Sequence, residues 1–143
     1  MIRPLTAHKP TDWRARVTAP SFRSMSDITP RDRERIAEID TLTNRVRHAH
    51  AQIEQFAASP REAEQRALSL RRTFNQLKLQ FTGAGLDRIA QMFGGLELTA
   101  RRGMSHGPKA RSLREGLGTI MRQIEVERRG IVATAQRAAG ANE

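Results

Sequence analysis

Between positions 29 and 132 the apolar residues recur three and four apart, separated by charged and amide side chains. Ile39, Leu42, Val46, Ala49, Ile53 and Phe56 form one such series. That spacing keeps a single stripe of a helix facing its neighbours, as in a heptad seam. Thr29-Pro30-Arg31-Asp32 supplies the start: Thr caps, Pro suits the first helical position, and the acid favours the positive end of the helix dipole. A first helix is expected over 30–57. Ala63, Ala67, Leu70, Phe74, Leu77 and Phe81 repeat the pattern after Ser59-Pro60-Arg61-Glu62, where Ser59 and Glu62 stand three apart as a capping box. The second helix is predicted over 60–82, ended by the flexible backbone of Gly83-Ala84-Gly85. Matched seams and a short connection predict an antiparallel pair.

A third helix is expected over 86–102, burying Leu86, Ile89, Phe93 and Leu96, with Gly94-Gly95 as a weak or closely packed spot. Gly103 through Gly107 reads as a loop. The fourth helix, 108–132, carries Leu113, Leu117, Ile120, Ile124 and Ile131, while Gly116, Gly118 and Gly130 lower its local stability. Residues 136–143 are expected to fray for want of large apolar side chains. No segment alternates with period two, so no sheet is predicted. The fold class is all-α: an antiparallel four-helix bundle over 29–135, behind an irregular N-terminal arm over 1–28. That arm holds Pro4, Pro10 and Pro20 and no apolar period. Its exceptions, Trp13 and Phe22, are candidates for docking on the bundle or on a partner.

Composition narrows the picture. The chain's 143 residues suit one domain with a real core. Five Phe, one Trp and no Tyr leave the packing to aliphatic side chains. The absence of cysteine removes disulfides, thiolate metal ligands and cysteine nucleophiles. Without an apolar leader or a long apolar run, a cytoplasmic protein with no membrane contact is expected. The net charge of +10 comes mostly from arginine and is concentrated before residue 31 and after residue 100. It favours an acidic partner, protein or nucleic acid.

Candidate catalytic chemistry is sparse. His48 and His50 sit two apart, about 200° around a helix, which prevents them from holding one metal ion. His106 lies in a basic stretch, Met104-Ser105-His106-Gly107-Pro108-Lys109, and reads as a loop residue within reach of a phosphate at most. Neither Gly83-Ala84-Gly85 nor Gly94-Gly95 follows a strand or precedes Gly-Lys-Ser/Thr, so neither is a phosphate loop. The carboxylates are scattered among arginines, with none paired in an apolar setting that would drive their pKa values apart. The expectation is a non-enzyme that needs no cofactor and no metal.

One stretch carries a resemblance. From Leu70 it runs through Asn75, Gln76, Leu77, Lys78 and Leu79 to Gly85, and then through Ile89, Ala90, Met92, Leu96 and Glu97. It resembles the histidine-containing phosphotransfer (Hpt) domain of two-component phosphorelays. That family carries His-x-Leu-Lys-Gly on an exposed helix face, a turn Gly six residues further on, and a following helix of the type x-x-Leu-Ala-x-Leu. Asn75 then falls on the phosphoacceptor histidine. Leu77 and Lys78 match, Leu79 replaces the Gly, and Gly85 matches the turn Gly. The resemblance covers residues 68–102. It implies a four-helix bundle that has lost its chemistry, because an amide nitrogen delocalised into its carbonyl is not a useful nucleophile.

Helical geometry independently groups Arg71, Asn75, Lys78 and Thr82 beside the Leu70/Phe74/Leu77/Phe81 seam, with Leu68, Arg72 and Leu79 flanking. These seven residues form the candidate partner-binding face, suited to the carboxylate-lined pocket of a receiver domain. The leading expectation is a non-catalytic module that binds a response regulator or histidine kinase in a two-component pathway. Two others stand beside it. A basic nucleic-acid- or ribonucleoprotein-associated protein would follow from the net charge, and a small subunit or assembly factor from the arm. The sequence leaves oligomeric state open.

Overall fold

The computed structural model describes residues 28–141. Among them are four α-helices and no strand: α1 Pro30–Ala58, α2 Ala63–Gly83, α3 Asp87–Arg101 and α4 His106–Ala141. A single 3-10 turn, Pro60–Glu62, joins α1 to α2. Each helix packs on its sequence neighbours, and α4 closes the ring on α1. Cross-links fix the directions. His106 meets Ala57, Arg114 meets Glu54 and Arg128 meets Asp40, so α4 runs antiparallel to α1. The result is the antiparallel four-helix bundle that the periodicity predicts, with the seams of all four helices merged in one core. Phe56, Phe74, Phe81 and Phe93 are its largest fully buried side chains, and Phe93 lies 5.4 Å from Phe81 and 6.3 Å from Phe74, ring centre to ring centre.

Helix boundaries depart from the sequence reading in three places. Thr29 does cap α1, its hydroxyl oxygen accepting from Asp32 N–H at 3.2 Å. Ser59, however, forms no side-chain cap, and the capping box with Glu62 is absent. Ser59 also closes α1, its N–H donating to the Phe56 carbonyl at 3.2 Å, and its backbone conformation is set by that exit. The chain therefore enters a 3-10 turn before α2 begins at Ala63, and Glu62 pairs with Arg66 at 2.9 Å instead.

The second departure is at the start of α4, which begins at His106 and not after Pro108. Proline in a first helical turn costs nothing, because that N–H has no intrahelical acceptor.

The third lies at the other end of α4. The helix continues to Ala141 instead of fraying from position 136, and Ala135 and Ala139 are buried. Ile131, Ala135 and Ala139 follow one another at four-residue steps, and Ile28 and Ile36 reach Ala135 to form a second small core. Ala135 carries this contact with Ile131 and Val132 packed beside it, and the high helix propensity of alanine supports the continuation. Lengths of about 43 Å for α1 and 54 Å for α4, against about 31 Å and 22 Å for α2 and α3, let the outer pair project beyond the α2–α3 turn. Ile28, assigned to the arm by sequence, belongs to this projection. Trp13 and Phe22 lie outside the described residues.

The α2–α3 turn is a Schellman motif. Leu86 N–H donates to Phe81 O at 2.9 Å and Gly85 N–H to Thr82 O at 3.0 Å, with Gly85 at φ +78°. Leu86 and Phe81, the two apolar residues that the motif brings together, are both buried.

Candidate functional site

The outward face of α2 is built by the same periodicity that builds its core. Ala67, Leu70, Phe74, Leu77 and Phe81 point inward, which turns Arg72, Asn75, Lys78, Leu79 and Thr82 to solvent and leaves Arg71 half-buried at the edge. Leu68 and Leu79 are 42% and 63% exposed. Eleven residues separate them, close to three whole turns, so they share one line along the helix with Arg72 and Asn75 between. The structure thus brings all seven candidate residues to one side of α2.

Helix α3 extends this face. An added Cβ on Gly94 would meet the Lys78 side chain at 3.8 Å, which places Gly94 against the Lys78 stem. One turn further on, Leu98 is 54% exposed on the same side of α3. Three of the four large apolar side chains exposed among the described residues therefore lie on the α2–α3 side that carries Asn75 and Lys78; the fourth, Val126, is on α4. Sequence reasoning missed Leu98. The signal was its i+4 relation to Gly94, readable only once Gly94 is known to face Lys78.

The electrostatics are one-sided. Arg71, Arg72 and Lys78 have no carboxylate within ion-pair distance among the described residues. Glu97, three residues after Gly94 on α3, is committed to Arg101 at 2.7 Å. Thr82 donates its hydroxyl hydrogen to Lys78 O of its own helix at 2.8 Å. Cations with free hydrogen-bonding capacity beside exposed leucines suit an acidic surface with apolar spots. Asn75 offers an amide donor and acceptor but no nucleophile.

The histidines fall elsewhere. His48 and His50 are exposed on α1 on either side of buried Ala49, and His50 Nε2 lies 4.0 Å from Glu54. His106 is not a plain loop residue. It opens α4, packs on Phe56 with ring centres 4.6 Å apart, and makes a 3.1 Å hydrogen bond between Nε2 and Ala57 O. No group of three or more His, Asp or Glu placed to hold a metal ion occurs among the described residues. None of the described helices is long and apolar enough to cross a membrane.

No protein-family model, curated protein or solved structure matches the chain.

Proposed function

We propose that this protein is a non-catalytic helical module of the Hpt type. Through the α2–α3 face it docks a signalling partner of a two-component pathway, a receiver domain or histidine kinase, and alters signal flow by occupancy. The observation that carries the reading is the exposure of Asn75 and Lys78 one turn apart on a face that also exposes Leu68, Leu79 and Leu98 and carries unpaired cations. A phosphotransfer bundle keeps its histidine and lysine on such a face. Here the amide of Asn75 stands where the imidazole would be, so the face retains recognition without group transfer.

Leu79 supports this direction. A leucine 63% exposed gains little for the isolated bundle from that surface, whereas burying the remainder against a partner contributes about 1–2 kcal/mol. Arg71, Arg72 and Lys78 complement the acidic pocket of a receiver domain and raise the association rate at low salt.

The test is calorimetric titration against a panel of receiver domains, comparing wild type with the Lys78→Glu/Leu79→Glu double variant. Both positions are solvent-facing, so the variant is expected to fold as wild type does. At least one receiver domain is expected to bind wild type and to lose about a hundredfold in affinity for the variant. Absence of binding across the panel, or equal affinity for the variant, would overturn the proposal.

A further inference from the structure

At the end of the bundle where α1 and α3 finish and α2 and α4 begin, the helices do not close completely. A cavity of about 450 Å³ remains between them. Its floor is apolar, formed by Phe56, Ala67, Ala100 and Met104, and its rim is cationic, with Arg71, Arg102 and Lys109. Glu64 is the single carboxylate on the wall, and Arg101, also at the rim, is occupied by Glu97 at 2.7 Å.

Two polar atoms of lining residues, Arg71 Nε and His106 Nδ1, have no partner among the described residues, but both are shielded from the cavity by their own surroundings. Since the Ala57 carbonyl only accepts, His106 uses Nε2–H for its 3.1 Å bond, and Nδ1 of the neutral ring is an acceptor that an anion does not satisfy, so the attraction for an anionic head comes from the arginines alone. Lys109 holds the Ala100 carbonyl at 3.2 Å, while Arg71 and Arg102 have no carboxylate among the described residues. Volume, apolar floor and unspent cationic donors together describe a ligand with a compact apolar body and one anionic head.

We infer that this cavity binds a small amphipathic monoanion, an aliphatic or aromatic carboxylate. Its apolar body lies over Phe56, Ala67 and Met104, and its carboxylate accepts hydrogen bonds from Arg71 and Arg102. The site adjoins the docking face and overlaps it at Leu68 and Arg71, whereas Asn75, Lys78 and Leu79 lie outside it.

The experiment is NMR titration of the full chain with octanoate, following the Met104 and Ala67 methyl groups. Octan-1-ol and inorganic phosphate provide the body without the charge and the charge without the body. Octanoate is expected to give saturable shifts at both methyls. The alcohol, phosphate, and octanoate added to an Arg71→Gln/Arg102→Gln variant are each expected to bind about tenfold more weakly or worse. Ala63→Leu, which adds bulk to a half-buried cavity position, is expected to block octanoate while leaving the basic rim in place. Leu79→Glu is expected to leave octanoate binding unchanged, which separates this site from the docking face. Unmoved methyls at millimolar octanoate, equal binding of the alcohol, or undiminished binding by the filled Ala63→Leu variant would overturn the inference.

Discussion

Gly85 and Gly116 show how differently two glycines serve one bundle. Gly85 sits at φ +78°, the left-handed conformation that a Schellman turn needs, and its place after the α2 seam was readable in the sequence. Gly85→Ala is expected to destabilise by about 1–2 kcal/mol, measured by urea denaturation. Gly116, by contrast, reads in sequence as a weak point in a helix. In the bundle a Cβ there would stand 2.5 Å from Leu96 Cδ2, so α3 approaches α4 across this position. Gly95 has nothing within 4 Å of an added Cβ. Gly95→Ala is therefore expected to stabilise by about 1 kcal/mol through helix propensity, and Gly116→Ala to give no gain or a loss as Leu96 is displaced. Equal stabilisation by both would contradict the close approach. Which residues meet across helices depends on the relative register of α3 and α4, and local spacing does not specify that register. The same limit hid the contact of His106 with Phe56 and Ala57, between residues about 50 apart in sequence.

At the scale of elements, the seams were legible because burial follows the 3.6-residue period directly. The helix ends were less so. Ser59 serves two helices, and the exit from α1 fixes its backbone before a capping box can form; a local motif gives no warning of that competition. The continuation of α4 to Ala141 was hidden because Ala135, four residues after Ile131, looks featureless until Ile28 and Ile36 are placed opposite it.

Between elements, α1 and α4 are also held by exposed bidentate pairs. The Arg114 guanidinium donates to both Glu54 oxygens, at 2.7 and 2.8 Å. This hydrogen bonding holds the Glu54 carboxyl below its ordinary value of 4.5. A carboxyl with a depressed folded pKa contributes stability above its unfolded value and loses that contribution as pH falls through the folded one. Thermal melts of wild type are expected to show a modest loss of stability below about pH 4.5, and Glu54→Gln to show a shallower acid limb while being slightly less stable at neutral pH. An unchanged acid limb in the variant would assign the effect to other carboxylates.

For the whole molecule, the ring of four helices leaves one surface whose composition does not match the rest. The long α1–α4 pair is laced by Arg–carboxylate bridges, whereas the α2–α3 hairpin turns exposed leucines and unpaired cations outward. Most of that face was legible from α2 alone, because the residues opposite a clear seam must be exposed. The contribution of α3 was not, since Leu98 joins the face only through the packing of Gly94 on Lys78. The net charge of +10 by itself would fit nucleic acid as well as an acidic protein, and the two differ in how binding is localised and how it responds to salt. The most direct measurement is an NMR titration of the isotope-labelled chain, at moderate salt, with a receiver domain selected from the panel. Saturable shifts are expected to concentrate at Arg72, Asn75, Lys78, Leu79 and Leu98, with α1 and the distal part of α4 unaffected. Shifts spread over the arginines of α1 and α4, or confined to the projecting ends of that pair, would contradict docking through this face.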